Sequence, residues 1–487
     1  MKSRRRVVVI ANWRDRKHPE AGGAEVVCER VASSFVEYGL EVVLLTASVA
    51  GEPHRETVAG YRIIRRGSRF TVYPWALLWI VLHRGQIRGV LDSQNGIPFF
   101  SPLAVGRKTP VLMLLHHIHQ DQFPLYFSPL MSSVGQRLER TGSRLVYRDR
   151  TIVAVSPSTR KRARRELGLE GDIVVVPPGS EANVSTVSEI RGRAYHPRIV
   201  CVGRLAVHKA TASIVEAVPS LLAEFPHLEL HLVGDGSERP TLEALVERLG
   251  VGEHVVLHGS VSAPERDHLM RTAWMSVNAS EGEGWGLSII EANSLGVPVL
   301  AFRRPGLKDS IRHGETGWLI DEGHSLASAI GGALREMADG QAAEAMAART
   351  RQWSAQFTWD EMASQILSLM EAEEGRLAQS PNNRRLLTDL AIVARIPTEL
   401  LPDELVPGFR GTDKCMLSEG DLVVLLRNTD TKAAHLALRR SGLAPSVIEN
   451  ERVRIAVARP VDFVSPAVCA SPALSAARAH HEDALAG

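Results

Sequence analysis

The feature that most constrains this chain is a regular alternation between short apolar runs and longer segments with helical periodicity. Strands of a parallel sheet form continuous apolar runs of this kind, because helices cover both faces of the sheet. Thirteen such runs are too many for one comfortable doubly wound sheet, so the alternation predicts two Rossmann-like domains. The predicted strands are 7–11, 42–46, 62–64, 90–91, 111–116, 152–155, 173–176, 199–202, 229–233, 255–258, 275–278, 297–302 and 318–320.

The length of 487 residues fits two domains of ordinary size with an appendage. Apolar periodicity lapses at 181–197, and a polar, turn-prone segment at 379–384 interrupts the pattern a second time. We therefore predict a first domain at 1–185, a second at 186–375 and a C-terminal extension at 380–487.

The C-terminal extension has an α+β pattern of its own. Because its link to the rest of the chain is polar, we expect it to fold separately. Its predicted elements are strands at 422–426 and 453–458, a helix at 431–441 and an alanine-rich, frayed tail at 465–487. Before the link, residues 343–372 are predicted to form two helices.

Composition limits the compartment and the partners. The formal net charge is only +2, so no overall field for nucleic acid is expected. The four cysteines are far apart, which predicts neither a disulfide framework nor a zinc site and fits a reducing cytoplasm. The apolar run 7–11 is too short for a signal-peptide core, and the longest elsewhere, 75–82, is far below the roughly 20 residues that span a bilayer.

The most informative segment is 280–298, SEGEGWGLSIIEANSLGVP, where a predicted strand meets a predicted helix. Its three glycines, Gly282, Gly284 and Gly286, let a ligand approach bare backbone, and the start of the helix favours an anion. Two carboxylates, Glu283 and Glu291, are out of place beside a phosphate because they would repel it. They fit if they accept hydrogen bonds from hydroxyl groups on either side of the phosphate. A sugar and a ribose flanking a diphosphate would satisfy both.

This segment resembles the donor-site signature of glycosyltransferase family 4, in which seven residues separate two glutamates. Trp285 stands where phenylalanine is more usual. The matching residues are Glu283, Gly284, Gly286, Leu287, Glu291, Ala292, Gly296 and Pro298. The resemblance extends over about 7–372 and implies the GT-B architecture, in which two Rossmann-like domains face each other across a cleft.

Three further segments follow in the order that this family has. Gly203-Arg204-Leu205 with Lys209 is similar to its Gly-Arg-Leu…Lys motif, whose arginine and lysine hold the diphosphate, although Ala210 replaces the usual glycine. Val233–Gly236 is similar to a turn that shapes the nucleotide pocket. The segment 305–309, PGLKD, matches the family's Gly-Gly-x-x-Glu only in part, which puts a role for Asp309 in doubt.

The first domain is expected to hold the acceptor. Gly22 and Gly23 open a helix after the first strand, and the resemblance places their backbone N–H groups opposite the diphosphate. His116, at the end of the strand 111–116, resembles the family's acceptor-side histidine. A metal site at His116, His117 and His119 is the alternative, but the chain has no Asp-x-Asp pair and GT-B enzymes generally bind no such ion for the leaving group.

The resemblance implies a retaining transfer of a hexose from a UDP-, GDP- or similar nucleotide sugar to an acceptor hydroxyl, with no cofactor and no metal. A sugar phosphorylase, a nucleotide-sugar epimerase and an inactive binding subunit are the rival interpretations, and the sugar, the base and the acceptor stay open. The predicted catalytic residues are Glu283, Arg204, Lys209 and His116; the predicted donor-binding residues are Gly22, Gly23, Gly203, Gly284, Trp285, Gly286, Leu287 and Glu291.

Two features of the first domain concern membranes. Residues 160–165 begin a basic helix, and 73–82 form an aromatic, apolar one. Some members of the family dock on membranes through such features, so peripheral contact at the inner face of a membrane is an expectation for this cytoplasmic chain. A solvated face and a core helix are the alternative.

Overall fold

The computed structural model describes residues 7–170, 172–180, 193–379, 391–401, 414–418, 420–426, 429 and 431–457. Within these residues the chain forms three sheets of eight, six and four strands. The predicted tail at 465–487, the polar link beyond 379 and most of the segment 181–197 lie outside the described residues.

The first sheet has the strand order β3-β4-β2-β1-β5-β6-β7-β8. Its pairings are parallel apart from the β3–β4 hairpin. Its strands are β1 Val7–Ala11, β2 Glu41–Thr46, β3 Arg55–Val58, β4 Tyr61–Arg65, β5 Ile87–Gln94, β6 Val111–Leu115, β7 Ile152–Ala154 and β8 Ile173–Val175. The helices are α1 Gly23–Glu37, α2 Val72–His83, α3 Phe123–Tyr126, α4 Pro129–Arg137, α5 Ser143–Val146 and α6 Pro157–Arg162.

The second sheet is parallel throughout, in the order β11-β10-β9-β12-β13-β14. Its strands are β9 Arg198–Val202, β10 Glu229–Val233, β11 Val255–Gly259, β12 Met275–Asn278, β13 Val299–Phe302 and β14 Gly317–Ile320. The helices are α7 Thr211–Leu222, α8 Arg239–Leu249, α9 Ala263–Thr272, α10 Leu287–Ser294, α11 Leu307–Ser310, α12 Leu326–Ala338 and α13 Gly340–Ser354. We call the two parallel sheets with their helices the first and second lobes.

Helix α14, Trp359–Gln379, returns from the second lobe to the first. Its Met370 packs so close to β5 that a Cβ on Gly89 would lie 2.4 Å from the Met370 sulfur. At its beginning, the Tyr38 hydroxyl donates a hydrogen bond of 2.5 Å to the Asp360 carboxylate. The predicted second domain, 186–375, therefore includes most of a helix that packs on the first lobe.

The third sheet is antiparallel, in the order β16-β17-β15-β18, and confirms an α+β extension. Its elements are β15 Ile392–Pro397, β16 Lys414–Ser418, β17 Asp421–Leu426, α15 Thr431–Arg440, α16 Pro445–Ile448 and β18 Arg454–Val457. Its buried residues, such as Ile392 and Val424, belong to one apolar core with Met362 and Ile366 of α14 and with the first lobe. The extension therefore shares a core with the first lobe through α14, and a small apolar cluster of its own, which includes Val393 and Leu425, lies on the other face of the sheet. That the extension folds separately stays a prediction.

Candidate active site

A lysine and a glutamate meet where the strands of the second sheet end. Lys209 closes a short 3₁₀ turn after β9, and its Nζ lies 2.7 Å from Oε1 of Glu283, in the loop after β12. Parallel strands end at one edge of a sheet, so two residues 74 positions apart become neighbours. Ala210, which follows the lysine, adopts φ +49°, in the left-handed region that favours glycine.

Glu283 is held as an anion by its surroundings. Ser280 Oγ donates to its Oε1 at 2.9 Å, and Asn278 Nδ2 donates at 3.4 Å. Burial raises the pKa of Glu283, but the charge and hydrogen bond of Lys209, with these two donors, outweigh it, so the pKa lies below its usual value. A fixed carboxylate at this place can accept hydrogen bonds from hydroxyl groups without changing its charge.

The two lobes touch directly around this pair. The Gly284 backbone faces the carbonyl of His116, and a Cβ on Gly284 would lie only 1.6 Å from that oxygen. Thr159 Oγ1 donates to the Gly284 carbonyl at 3.2 Å. A Cβ on Gly23 would lie 2.8 Å from a methyl group of Leu287. Glycine is therefore needed at Gly284, where the neighbour is backbone, whereas the Leu287 side chain could move away from a Cβ at Gly23.

Polar contacts also join the lobes. Arg204 donates to the Glu20 carbonyl at 3.2 Å, and the Tyr126 hydroxyl lies 2.8 Å from Nδ1 of His208. Asp309 accepts hydrogen bonds from the backbone N–H groups of both Ser158 and Gly306. Asp309, whose role the sequence left in doubt, thus links the lobes.

His116 is buried, and its Nε2 lies 2.9 Å from the Ser93 hydroxyl and 3.9 Å from the Cys28 sulfur. Burial lowers the pKa of His116 to about 4, so the ring is neutral near pH 7. Burial likewise lowers the pKa of His117. Within the described ranges, no group of three or more His, Cys, Asp or Glu side chains is placed to hold a metal ion.

The Gly22-Gly23 turn is fixed from within. The Gly22 N–H donates to the carboxylate of Glu25 at 2.6 Å, while Arg14 and Asn95 donate to the same fully buried carboxylate. One of the two N–H groups predicted to face a diphosphate is therefore already used. The sequence interpretation did not identify Glu25, although its place three residues into the helix is a capping-box signal.

A cavity of about 980 Å³ lies between the lobes, at the carboxyl ends of both sheets. The second lobe contributes Arg204 and His208, the residue before Lys209, with the Gly234–Gly236 turn. The first lobe contributes two arginines, Arg14 and Arg69, and a set of aromatic rings that sequence analysis did not identify: Trp13, Phe70, Tyr73, Phe123, Tyr126 and Phe127. The cavity therefore has a polar wall and an aromatic, cationic wall.

Two family models match successive parts of the chain. Residues 21–183 match the model described as Glycosyltransferase Family 4, and 192–353 match Glycosyl transferases group 1. The chain belongs to glycosyltransferase family 4. The family-4 signature seen in the sequence, with Glu283 and Glu291, lies inside the second match.

The chain is similar to a GDP-mannose-dependent alpha-(1-6)-phosphatidylinositol monomannoside mannosyltransferase from Mycobacterium tuberculosis. It is 28% identical over 239 residues, which cover 46% of this chain and 62% of that protein. The match thus spans less than two thirds of that relative.

Among solved structures, sucrose-phosphate synthase from Thermosynechococcus elongatus superposes with a TM-score of 0.63 at 20% identity, over 75% of this chain and 98% of that one. WaaG, a glycosyltransferase involved in lipopolysaccharide biosynthesis, superposes with a TM-score of 0.58 at 18% identity, over 77% and 100%. The fold of this family-4 chain is accordingly GT-B, as predicted.

Two other predicted donor residues of the family-4 signature contact groups outside the Lys209–Glu283 pair. Glu291, on α10, is 3.6 Å from an Nη1 atom of Arg266. Trp285 is buried and packs edge-on against Phe357, with ring centroids 5.0 Å apart. Trp285 therefore packs into the core behind the loop 279–286 between β12 and α10, which we call the donor loop.

Proposed function

We propose that this chain transfers a hexose from a nucleoside-diphosphate sugar to an acceptor hydroxyl, with retention of configuration. The observation that carries the proposal is the Lys209–Glu283 pair at the strand ends of the second lobe. The next residue, Gly284, lies against the His116 carbonyl of the first lobe. Lys209 and Arg204 would stabilise the charge that grows on the diphosphate as the glycosidic bond breaks. Glu283 would accept hydrogen bonds from the sugar, and Glu291 from the ribose.

Retention requires the acceptor hydroxyl to attack on the face that the diphosphate leaves. His116 would orient the acceptor or the sugar as a neutral hydrogen-bonding group, because its burial disfavours the charged ring. Closure of the lobes around Gly284 would exclude water, which would otherwise hydrolyse the donor.

Transfer is expected to survive chelation. Two cations, Arg204 and Lys209, supply the charge that a bound metal ion supplies elsewhere. The purified chain is incubated with excess EDTA, candidate acceptors and a panel of sugar donors that includes GDP-mannose and UDP-glucose. NMR then gives the anomeric configuration of the product. A product with inverted anomeric configuration would contradict the proposed retention. Activity that is lost in EDTA and returns only with manganese or magnesium would contradict metal-independent transfer. Tight donor binding without turnover in any combination favours the inactive binding subunit.

The aromatic, cationic wall of the large cavity favours an anionic acceptor. Arg69 lies over Phe127 at 4.7 Å and over Trp13 at 5.5 Å, and Arg14 lies over Trp13 at 4.3 Å. A phosphate group on the acceptor would complement the Arg69 guanidinium, while Arg14 beside it is already paired with Glu25. A phosphorylated polyol is therefore the acceptor class to test first, which agrees with the phosphatidylinositol named for the mycobacterial relative.

The first lobe also carries exposed apolar side chains, which we call the apolar patch, and five of them line this cavity. They would hold an acceptor's lipid tail at a bilayer surface. Twelve of the sixteen exposed large hydrophobic side chains of the described residues lie between Phe70 and Leu145. They are Phe70, Leu78, Val81, Leu82, Leu103, Leu125, Tyr126, Leu130, Met131, Val134, Leu138 and Leu145. In the described part of the chain, no helix is long and apolar enough to cross a membrane.

Charge around the apolar patch fits an anionic bilayer. Residues 69–148 contain nine arginines and lysines but only three acidic residues. Two of these three, Asp92 and Glu139, are fully buried, which leaves Asp121 as the exposed one. Exposed apolar side chains among basic ones are typical of surfaces that lie on anionic lipids.

Binding to anionic vesicles is expected to fall at least about tenfold when Leu82 and Leu130 are both replaced by glutamate, since each loses apolar burial and adds repulsion. Sedimentation with phosphatidylglycerol vesicles and with phosphatidylcholine vesicles measures this. Val256→Glu, at an exposed apolar position of the second lobe, is the matched control. Equal binding to both lipids, or no loss in the double variant, would contradict membrane docking through this patch.

A further inference from the structure

A second cavity, of about 230 Å³, lies behind the donor loop where both lobes and the third sheet meet. Arg160 of the first lobe, Trp285 and Asp309 of the second, and Arg395 and Arg454 of the third sheet all line it. Residues of the C-terminal extension form part of the wall of this cavity, because the extension packs on the two lobes. The family-4 match ends at residue 353 and does not include the extension.

Three aromatic rings form one wall of this second cavity. Phe357 packs edge-on against Trp285 and against Trp353, with ring centroids 5.0 and 4.8 Å apart. Trp285 is only 6% exposed, and its Nε1 has no hydrogen-bond partner among the described residues. Such a wall offers flat apolar faces, with one indole donor unsatisfied close by.

The arginines at the second cavity make no direct ion pair with a described residue, although carboxylates also line the cavity. No hydrogen bond or ion pair joins the guanidinium groups of Arg160, Arg395 and Arg454 to another described residue, and Arg454 lies over the rings of Trp353 and Phe357 at 5.5 and 5.7 Å. Burial lowers the pKa of Arg160, and lowers that of Arg454 to about 10. Holding cations partly buried and unpaired costs free energy, which a bound anion would offset.

Carboxylates line the same cavity: Asp309, Glu361, Glu449 and Glu451. Two of them already accept hydrogen bonds, Asp309 from Ser158 and Gly306 and Glu361 from Gln365. The pocket thus combines acceptors for hydroxyl groups, forked cationic donors and aromatic faces. A simple inorganic anion would contact only the cationic donors.

We propose that the second cavity is a binding site for a small phosphorylated sugar, separate from the donor site. Arginine forks bind phosphate in a bidentate manner, carboxylates accept sugar hydroxyls, and aromatic faces pack against the C–H face of a sugar ring. The volume is below the roughly 300–1,000 Å³ usual for drug-sized ligands, which limits the occupant to about one sugar ring with its phosphate.

The ligand would act on the donor loop from behind. Trp285 stands between Gly284 and Gly286, and the Glu283 N–H donates to the Pro305 carbonyl at 3.0 Å, four residues before Asp309. A ligand that touches Trp285 and Asp309 therefore contacts both segments that position Glu283. Coupling between such sites typically changes affinity about 5- to 150-fold, in both directions.

Isothermal titration of the full chain with glucose 6-phosphate tests the site, with glucose and inorganic phosphate as separate arms. We expect glucose 6-phosphate to bind at least tenfold more tightly than either. Arg454→Gln in the third sheet and Arg160→Gln in the first lobe should each weaken binding at least tenfold. Arg440→Gln, at an exposed arginine of the same extension, is the matched control and should bind like the wild type.

Melting temperatures verify that each variant is folded. Three results would overturn the proposal: no binding of glucose 6-phosphate at millimolar concentration, equal affinity for inorganic phosphate, or unchanged binding in both arginine variants. Binding that disappears in Lys209→Ala would assign the ligand to the donor site and overturn it as well. Because the readout is binding alone, it stands whether or not the chain proves to be a transferase.

Discussion

Replacing Lys209 by alanine is expected to lower kcat about 100- to 1000-fold, the usual cost of removing a preorganised charge-stabilising group. The ammonium lies 2.7 Å from Glu283 at the strand ends of the second sheet, where the resemblance places the diphosphate. Its contact with the leaving group would strengthen as the bond to the sugar breaks, so the loss should appear mainly in turnover. Affinity for the nucleoside diphosphate should change much less.

The lysine has a second effect that sharpens the experiment. Burial raises the pKa of Glu283, and Lys209 offsets this, so removing the ammonium leaves the carboxylate with Ser280 and Asn278 alone. Glu283→Ala should therefore be as severe, and the double variant should lose less than the product of the two single losses. Lys209→Arg should rescue only in part, because a planar fork does not replace a compact ammonium.

Steady-state kinetics and calorimetric binding of UDP and GDP measure these effects, with Lys308→Ala as a matched lysine in the second lobe. Arg204→Ala should lower turnover by a similar factor. Glu291→Ala should instead weaken donor affinity, because ribose contacts change little during the reaction. If both Lys209→Ala and Arg204→Ala turn over nearly as fast as the wild type, these two cations do not stabilise the leaving diphosphate.

The alternation of strands and helices was readable because buried parallel strands leave continuous apolar runs. All thirteen predicted strands occur in the two parallel sheets. The strand that was missed in them, Arg55–Val58, carries two charged residues and lies at an edge, where one side of the strand pairs with nothing. Edge strands need not be apolar, so their sequences give little signal.

What the sequence could not predict is where the elements pack. Helix α14 follows the second lobe in the chain, yet its apolar face covers the first lobe and the third sheet. The local pattern of a helix reports which side is apolar but not which partner covers it. For the same reason Trp285 was predicted to bind the donor, although its ring lies in the core behind the loop.

Motif spacing served better for the candidate site, because the ends of parallel strands converge. The pairing of Lys209 with Glu283 follows from their places after β9 and β12, which are neighbours in the sheet. The residues that support Glu283 could not be predicted from the sequence, because nothing distinguishes Asn278 and Ser280 from other polar residues until the loop folds. At Ala210 the motif differs from that of the family, but the backbone keeps the left-handed conformation that favours glycine.

Gly284→Ala is expected to lower turnover at least about 100-fold while leaving each lobe folded. An added Cβ would lie 1.6 Å from the His116 carbonyl oxygen and 2.8 Å from its carbon, and both belong to the backbone of the opposite lobe. Neither can rotate away, so the lobes must separate. A displacement of about 1 Å at a reacting centre costs roughly 100-fold in rate, and the opened cleft would also admit water.

The distinguishing feature of this variant is that it acts on the contact between the lobes and not on either core. Its melting temperature and its affinity for UDP or GDP should therefore stay close to those of the wild type, while kcat falls and donor hydrolysis rises relative to transfer. Gly282→Ala is the matched control in the same loop, because the nearest atom to its Cβ, the Pro305 carbonyl oxygen, is 4.0 Å away. If Gly284→Ala and Gly282→Ala turn over alike, close approach of the lobes at His116 is not required for transfer.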